Sequence, residues 1–168
     1  MGAAPKSSVH GPDTALHRGF SLFILNRRGE VLLQQRSASK QTWPLEWSNS
    51  CCGHPMPGES VENAARRRAA DELGITLLKL HTVLPDYRYR AQKNGVVENE
   101  TCPVLVGVAL QQPVPNPAEV LAVRWVEWRE FVESIGQQND LTPWCKEEAG
   151  LLDDSSEFHG ILQETRRH

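Results

Sequence analysis

The sequence predicts an α+β domain of ordinary size. Three observations predict it. The chain has 168 residues, 39% of them hydrophobic, enough to bury one substantial core. Extended apolar runs bounded by turn residues outnumber stretches with helical spacing. No internal repeat and no linker interrupts the chain, so strands and helices belong to one packed unit.

Element by element, residues 1–14 are rich in Gly, Pro and Ser and read as an unpaired arm. Residues 20–25 (FSLFIL) and 30–35 (EVLLQQ) are short strands, and the turn chemistry of Asn26-Arg27-Arg28-Gly29 between them predicts a hairpin. A loop around Trp43-Pro44 follows, then a strand over residues 48–52 and the turn Gly53-His54-Pro55-Met56-Pro57-Gly58. Ser60 is the N-cap of the clearest helix. Val61, Ala64, Ala65, Ala69 and Leu73 form its apolar stripe, and Gly74 stands at its αL stop. Strands are expected over residues 77–84, 87–92, 96–110 and 120–126. Helices are expected over 128–135 and from Thr142-Pro143 onward, with Pro143 at the first helical position. Residues 153–168 are polar and read as a tail or a frayed helix.

Charge and length narrow the function. Eighteen basic residues face 21 acidic ones, for a net charge of −3, which argues against a nucleic-acid partner. The longest apolar run, residues 104–110, contains a glycine and is far shorter than the ~20 residues a membrane helix needs. Residues 1–6 lack the apolar core of a secretory signal. Four cysteines, Cys51, Cys52, Cys102 and Cys145, show no C-x-x-C spacing, and the adjacent pair points to opposite sides of an extended segment. Free thiols in a reducing cytoplasm are expected, in a protein without membrane insertion.

Two groups of residues carry chemistry. The first is Gly53 to Ile75, GHPMPGESVENAARRRAADELGI. Arg68, Asp71 and Glu72 lie three and four positions apart and share a helical face. Such a run is often only a solvated charged face, but the spacing from Gly53 through Glu59 and Arg67 to Glu72 resembles the Nudix box, which holds a divalent cation against a diphosphate. It departs in one place: the acid expected directly after Arg67 is Arg68. One carboxylate is lost and a cation gained, which suits holding a diphosphate without hydrolysing it. The second group is a scattered set of metal-type ligands, His10, His17, His54, Glu98 and Glu100. Glu98 and Glu100 are two apart on one strand face. Imidazoles with carboxylates suit a first-row transition metal or Zn²⁺.

Further segments widen the likeness: Ser50-Cys51-Cys52-Gly53-His54-Pro55, Asp86-Tyr87-Arg88-Tyr89-Arg90, Val97-Glu98-Asn99-Glu100-Thr101-Cys102-Pro103, Trp47-x-Asn49-Ser50 and Thr142-Pro143-Trp144. In this order, over roughly residues 6–150, the chain resembles type I isopentenyl diphosphate isomerase, a metal-dependent branch of the Nudix superfamily. The resemblance implies a Nudix-like mixed β-sheet core flanked by helices. It implies an arm over 1–16 that carries a metal ligand, a catalytic domain over 17–152, and a polar tail over 153–168.

It also implies interconversion of isopentenyl and dimethylallyl diphosphate in isoprenoid biosynthesis. Cys52 is then the catalytic thiol on one side of the substrate and Glu100 the acid/base on the other, with Tyr89 assisting. His10, His17, His54, Glu98 and Glu100 form a Mn²⁺ or Zn²⁺ site, and Glu72 helps hold Mg²⁺ on the diphosphate. Lys6, Arg36, Lys40 and Arg68 bind the diphosphate, and Trp144, with Trp47 as second candidate, shelters the carbocation. The expected partner is a small-molecule diphosphate; monomer and homodimer stay open. The competing expectations are a Nudix pyrophosphohydrolase and a homologue that binds diphosphate without catalysis. One departure lies after Thr142-Pro143-Trp144: where the family often has a second aromatic about a turn on, this chain reads Cys145-Lys146-Glu147-Glu148-Ala149.

Overall fold

A computed structural model describes residues 14–167. The central sheet is built on β2 (Phe20–Leu25), whose six residues are all buried. Phe20, Leu22 and Ile24 point into one apolar cluster, Phe23 and Leu25 into another on the opposite face. A strand covered on both faces reads as a continuous apolar run, as FSLFIL does.

β3 (Glu30–Arg36) follows the expected turn, and the hairpin closes at Leu25 opposite Val31. Beyond that pair the two strands part. Into the gap go β4 (Trp47–Ser48), paired with β3, and β5 (Cys51–Gly53), paired with β2. The single strand expected over 48–52 is thus two short ones on different partners. Asn49 and Ser50 between them are fully buried. Ser50 Oγ donates to Leu32 O and accepts from Ile24 N, which ties the parted strands together.

α1 (Val61–Leu73) is as expected: Ser60 Oγ accepts from Asn63 N, and Gly74 adopts φ 63° at the C-cap. Its Ala64, Ala65 and Ala69 are fully buried, and this small-residue stripe lets the helix lie close against β2 and β5. β6 (Lys79–Leu84) precedes β7 (Arg88–Lys93). The run expected over 96–110 breaks at Cys102-Pro103 into β8 (Val96–Thr101) and β9 (Val104–Val108). Proline has no amide hydrogen for a ladder, and here the chain changes sheets. β9 joins β2 in parallel, while β8 pairs with β7 and with β1 (His17–Arg18) in a separate three-stranded sheet. β10 (Val120–Glu127) pairs with β3 at the edge of the main sheet.

α2 (Trp128–Ser134) and α3 (Pro143–Asp153) match the two expected helices. The C-terminal expectation needs correction. Residues 153–168, read as a polar tail or frayed helix, contain α4 (Ser156–Arg167), which buries Phe158, Ile161, Leu162 and Thr165. Phe158 is fully buried, with its ring 4.3 Å from that of Trp128. Four buried positions in twelve, spaced by three, one and three, make a narrow stripe that an otherwise charged sequence hides.

Candidate active site

The small sheet brings the metal-type residues together by register. His17 stands opposite Glu100 across β1 and β8, and Tyr89 opposite Glu100 across β7 and β8. His54 follows β5 directly. Glu100 Oε1 accepts from His17 Nε2 at 3.1 Å and from His54 Nε2 at 2.8 Å, and the two imidazoles lie 5.1 Å apart. One donor atom from each of His17, His54 and Glu100 falls within 4.8 Å of the others, a spacing one divalent ion can span. Two imidazoles and a carboxylate suit a divalent metal ion. Burial disfavours ionised Glu100, but the bonds from His17 and His54 outweigh it and hold the carboxyl down to about 2. Glu98, on the same strand face, is pushed the other way, to about 7, by burial and by the charge of Glu100. His10 and Lys6 lie outside the described residues.

Glu100 owes its seat to Gly19, between β1 and β2. A Cβ at Gly19 would meet Glu100 Oε2 at 2.1 Å.

Cys52 and Glu100 line one cavity of about 560 Å³, together with Tyr89 and Trp144. The thiol is oriented by Asn49, whose Oδ1 accepts from Cys52 Sγ at 3.2 Å, Ser48 Oγ at 2.8 Å and Trp144 Nε1 at 3.2 Å. Burial, reinforced by Glu148, pushes the Cys52 thiol up to about 12. Tyr89 also keeps its proton, because burial and the neighbouring Glu100 raise its phenol well above the ordinary value. The Trp144 ring lies 5.5 Å from Tyr89 and 5.1 Å from Trp43. Trp47, the second aromatic candidate, is absent from the cavity wall and carries the Arg124 guanidinium 4.2 Å above its ring.

The same cavity is walled by Arg36, Lys40 and Arg68. Arg68 pairs with Glu72 one turn along α1, and lies 3.4 Å from Glu119. Lys40 pairs with Glu119 and lies 3.7 Å from Glu72. Glu72 is buried, and its Oε2 accepts from Gln34 Nε2 at 3.1 Å. Asp71, expected on the face of Arg68 and Glu72, is exposed instead. Arg36 donates through Nε and Nη2 to Thr42 O and through Nε to Trp43 O. These bonds brace a loop in which Trp43 and Leu45 both have positive φ, an uncommon conformation for large side chains.

Sequence reasoning missed Gly19, Ser21, Glu119 and Glu148, and quoted Asn49 without a role. A polar residue inside FSLFIL was the available signal for Ser21. Gly19, Glu119 and Glu148 lie far along the chain from the residues they serve.

The fold and the loop and helix over residues 53–75 define a class. The NUDIX domain family model matches residues 15–145. The structure resembles the MutT protein of Methanosarcina mazei, with a TM-score of 0.68 at 20% identity over 83% of this chain and 94% of that one. A MutT NUDIX hydrolase from Burkholderia pseudomallei gives 0.63 at 21% identity, covering 81% and 97%. At that identity these likenesses speak for the fold alone. Sequence relatives are much nearer. A protein of Paenarthrobacter aurescens named isopentenyl-diphosphate Delta-isomerase is 52% identical over 146 residues, 86% of this chain and 79% of its own. The one from Saccharopolyspora erythraea is 45% identical over 154 residues, 90% and 79%. That of Clavibacter michiganensis is 42% identical over 167 residues, 98% and 86%. The chain belongs to the isopentenyl-diphosphate Delta-isomerase family of Nudix proteins.

Proposed function

We propose that this protein interconverts isopentenyl and dimethylallyl diphosphate, with Cys52 and Glu100 exchanging protons on the two sides of the hydrocarbon. The observation that carries this reading is one cavity lined by a proton-holding thiol, an ionised carboxylate and two aromatic side chains, with lysine and arginine on its wall. Protonating an unactivated alkene creates a tertiary carbocation, so the reaction needs a positioned acid, a positioned base and protection from water. Cys52 holds its proton and Glu100 has lost its own, so the resting pair carries one proton, on the thiol side. The reverse conversion uses the same pair with the proton on the other side. Tyr89, protonated beside Glu100, assists delivery there. The Trp144 face, desolvated against Tyr89, shelters the cation by about 2 kcal/mol.

His17, His54 and Glu100, with Glu98 beside them, are the described residues that would hold the metal. When bound there, a divalent ion supplies positive charge that tunes the acidity of Glu100. Lys40 and Arg68 bind the diphosphate, exchanging part of their pairing with Glu72 and Glu119 for the incoming anion. Glu72, buried behind Arg68, would help hold the Mg²⁺ that accompanies the substrate. Arg36 acts mainly by bracing the loop over Trp144, since its Nε and Nη2 are already committed to backbone carbonyls. Binding energy gathered at the remote diphosphate serves to orient the reacting carbons.

Hydrolysis is the weaker reading. The acid that the Nudix box places after Arg67 is here Arg68, whose guanidinium neutralises Glu72. The test incubates purified protein with isopentenyl diphosphate and Mg²⁺, with and without Mn²⁺ or Zn²⁺. The dimethylallyl isomer is the expected product. Absence of isomer under every metal condition, or release of inorganic phosphate in its place, would overturn the reading.

A further inference from the structure

α3 carries a carboxyl that the mechanism above leaves unused. Glu148 is fully buried, and neither of its side-chain oxygens completes a hydrogen bond. Its titratable neighbours are all acids: Cys52 on β5, Glu100 on β8, Cys102 at the break before β9, Tyr87 before β7, and Cys145 and Glu147 on α3 itself. No cation acts on it among the described residues. An ionised carboxylate so placed would be an uncompensated buried charge, so the group keeps its proton. Burial accordingly pushes its carboxyl well above the usual range, opposed in part by Ser21.

Ser21 is the link outward. Its Oγ lies 3.6 Å from Cys52 Sγ and 3.7 Å from Cys102 Sγ, and Ser21 is the hydroxyl that draws the Glu148 carboxyl down. A serine has a single O–H to give. While Cys52 donates to Asn49, Ser21 is free to turn toward Glu148. Once Cys52 has given up its proton, the sulfur needs a donor, and Asn49 Oδ1 cannot be one.

We propose that Glu148 is a positioning residue for the thiol face of the pocket, a neutral acid that donates to Ser21 so that Ser21 can donate to Cys52 whenever the sulfur lacks its proton. No bond to hydrogen is made or broken in this support. The Glu148 O–H points to Ser21 Oγ and the Ser21 O–H points to sulfur, while the proton that Cys52 exchanges moves only between sulfur and substrate. The inference deepens the isomerase reading and rests on it. It also gives a role to the place after Thr142-Pro143-Trp144 where the sequence departs from its family.

The test compares Glu148→Gln, Glu148→Leu, Ser21→Ala and the double variant Ser21→Ala with Glu148→Leu, in the metal-loaded enzyme. Glu148→Leu removes the donor and lowers kcat about ten- to a hundredfold, the size of one hydrogen bond to a charged group, with KM unchanged. Glu148→Gln keeps a neutral donor of the same shape and recovers most of that loss. Ser21→Ala matches Glu148→Leu, and the double variant is no worse than either single one, because both changes cut one chain. An infrared difference spectrum between wild type and Glu148→Gln shows the carbonyl stretch of a protonated acid, whatever the activity. A missing acid band overturns the proposal. So does a Glu148→Leu enzyme turning over at the wild-type rate, a Glu148→Gln enzyme as slow as Glu148→Leu, or losses that simply add. If Glu148→Leu fails to fold, Ser21→Ala and Glu148→Gln decide the matter alone. Wild-type protein that forms no isomer sinks the isomerase reading instead, and the infrared band still reports on Glu148.

Discussion

Replacing Gly19 by alanine adds one methyl group at the most crowded point of the site. The new carbon would lie 2.1 Å from Glu100 Oε2 and 2.7 Å from its carboxyl carbon. Ordinary contact begins near 3.4 Å, so the carboxylate must retreat by more than about 1 Å. Its bonds to His17 and His54 are 3.1 and 2.8 Å long. Both are made by Oε1, so a retreat of that size stretches or misaligns them. Each charge-assisted bond lost costs about 1.5–3 kcal/mol, and a catalytic group displaced by about 1 Å costs roughly 10²-fold in rate. Gly19 is not among the glycines with positive φ, so alanine fits the backbone and the fold persists. Three measurements check this: kcat against isopentenyl diphosphate, Mn²⁺ or Zn²⁺ affinity by calorimetry, and the circular dichroism spectrum. The expected result is a folded protein with weak metal binding and turnover down about a hundredfold or more. Pairing Gly19→Ala with Glu100→Asp, which shortens the side chain, restores part of the metal affinity. A Gly19→Ala protein that binds metal and turns over like wild type refutes the claim that Glu100 is fixed by this contact.

Other outcomes follow from the same geometry. Cys52→Ala and Glu100→Gln each abolish isomer formation in a discontinuous product assay, since each removes one of the two proton-exchanging groups; near wild-type turnover in either withdraws its role. In metal-free protein the depressed Glu100 carboxyl contributes stability that is present above the unfolded-state value of about 4.3. That stability is lost as pH falls through that value toward about 2. Urea unfolding of Glu100→Gln should therefore show a flatter acid limb than wild type over that window, and identical slopes would count against the imidazole pairing. Phe158→Ala empties a fully buried ring site against Trp128 and should cost about 3–5 kcal/mol in denaturant unfolding. A change under 1 kcal/mol would mean α4 is not part of the core.

Much of the fold was legible because its signals are local. The α1 stripe, its Ser60 cap and its Gly74 stop lie within fifteen residues of one another, and the structure realises all three. The errors came where a partner distant in sequence decides. Nothing in residues 26–29 says that β2 and β3 must part after one pair to admit Trp47–Ser48 and Cys51–Gly53. Phe158, Ile161, Leu162 and Thr165 recur at helical spacing, a local signal that the reading of residues 153–168 as a tail passed over, but nothing in it reveals that Trp128 is the partner. The site shows the same division. Glu98 and Glu100 were readable as one strand face, and β8 places them so. The closeness of His17 and His54 to Glu100 depends on a parallel β1–β8 pairing and on the turn after β5, for which spacing along the chain holds no rule.

The parting of β2 and β3 also links fold to chemistry. It draws Trp47 to Gly53 into the main sheet, so that Cys52 sits opposite Ser21 in register and His54 emerges next to the small sheet. α1 lies on the same β5 and carries Arg68 to the cavity wall, with Glu72 buried behind it and paired to it. The Nudix helix thus stands on the side of the cavity lined by Lys40, Arg68 and Glu119. Two cations, Lys40 and Arg68, stand against two carboxylates, Glu72 and Glu119. A cluster balanced in this way can grip an anion, but it lacks the surplus of negative charge that gathers metal ions to activate a water. The proposed acid–base pair, Cys52 and Glu100, lies instead on β5 and β8, where the proposed substrate would carry hydrocarbon. On the proposed reading, separating the grip from the proton exchange would let one scaffold hold a diphosphate intact while the chemistry proceeds at its other end.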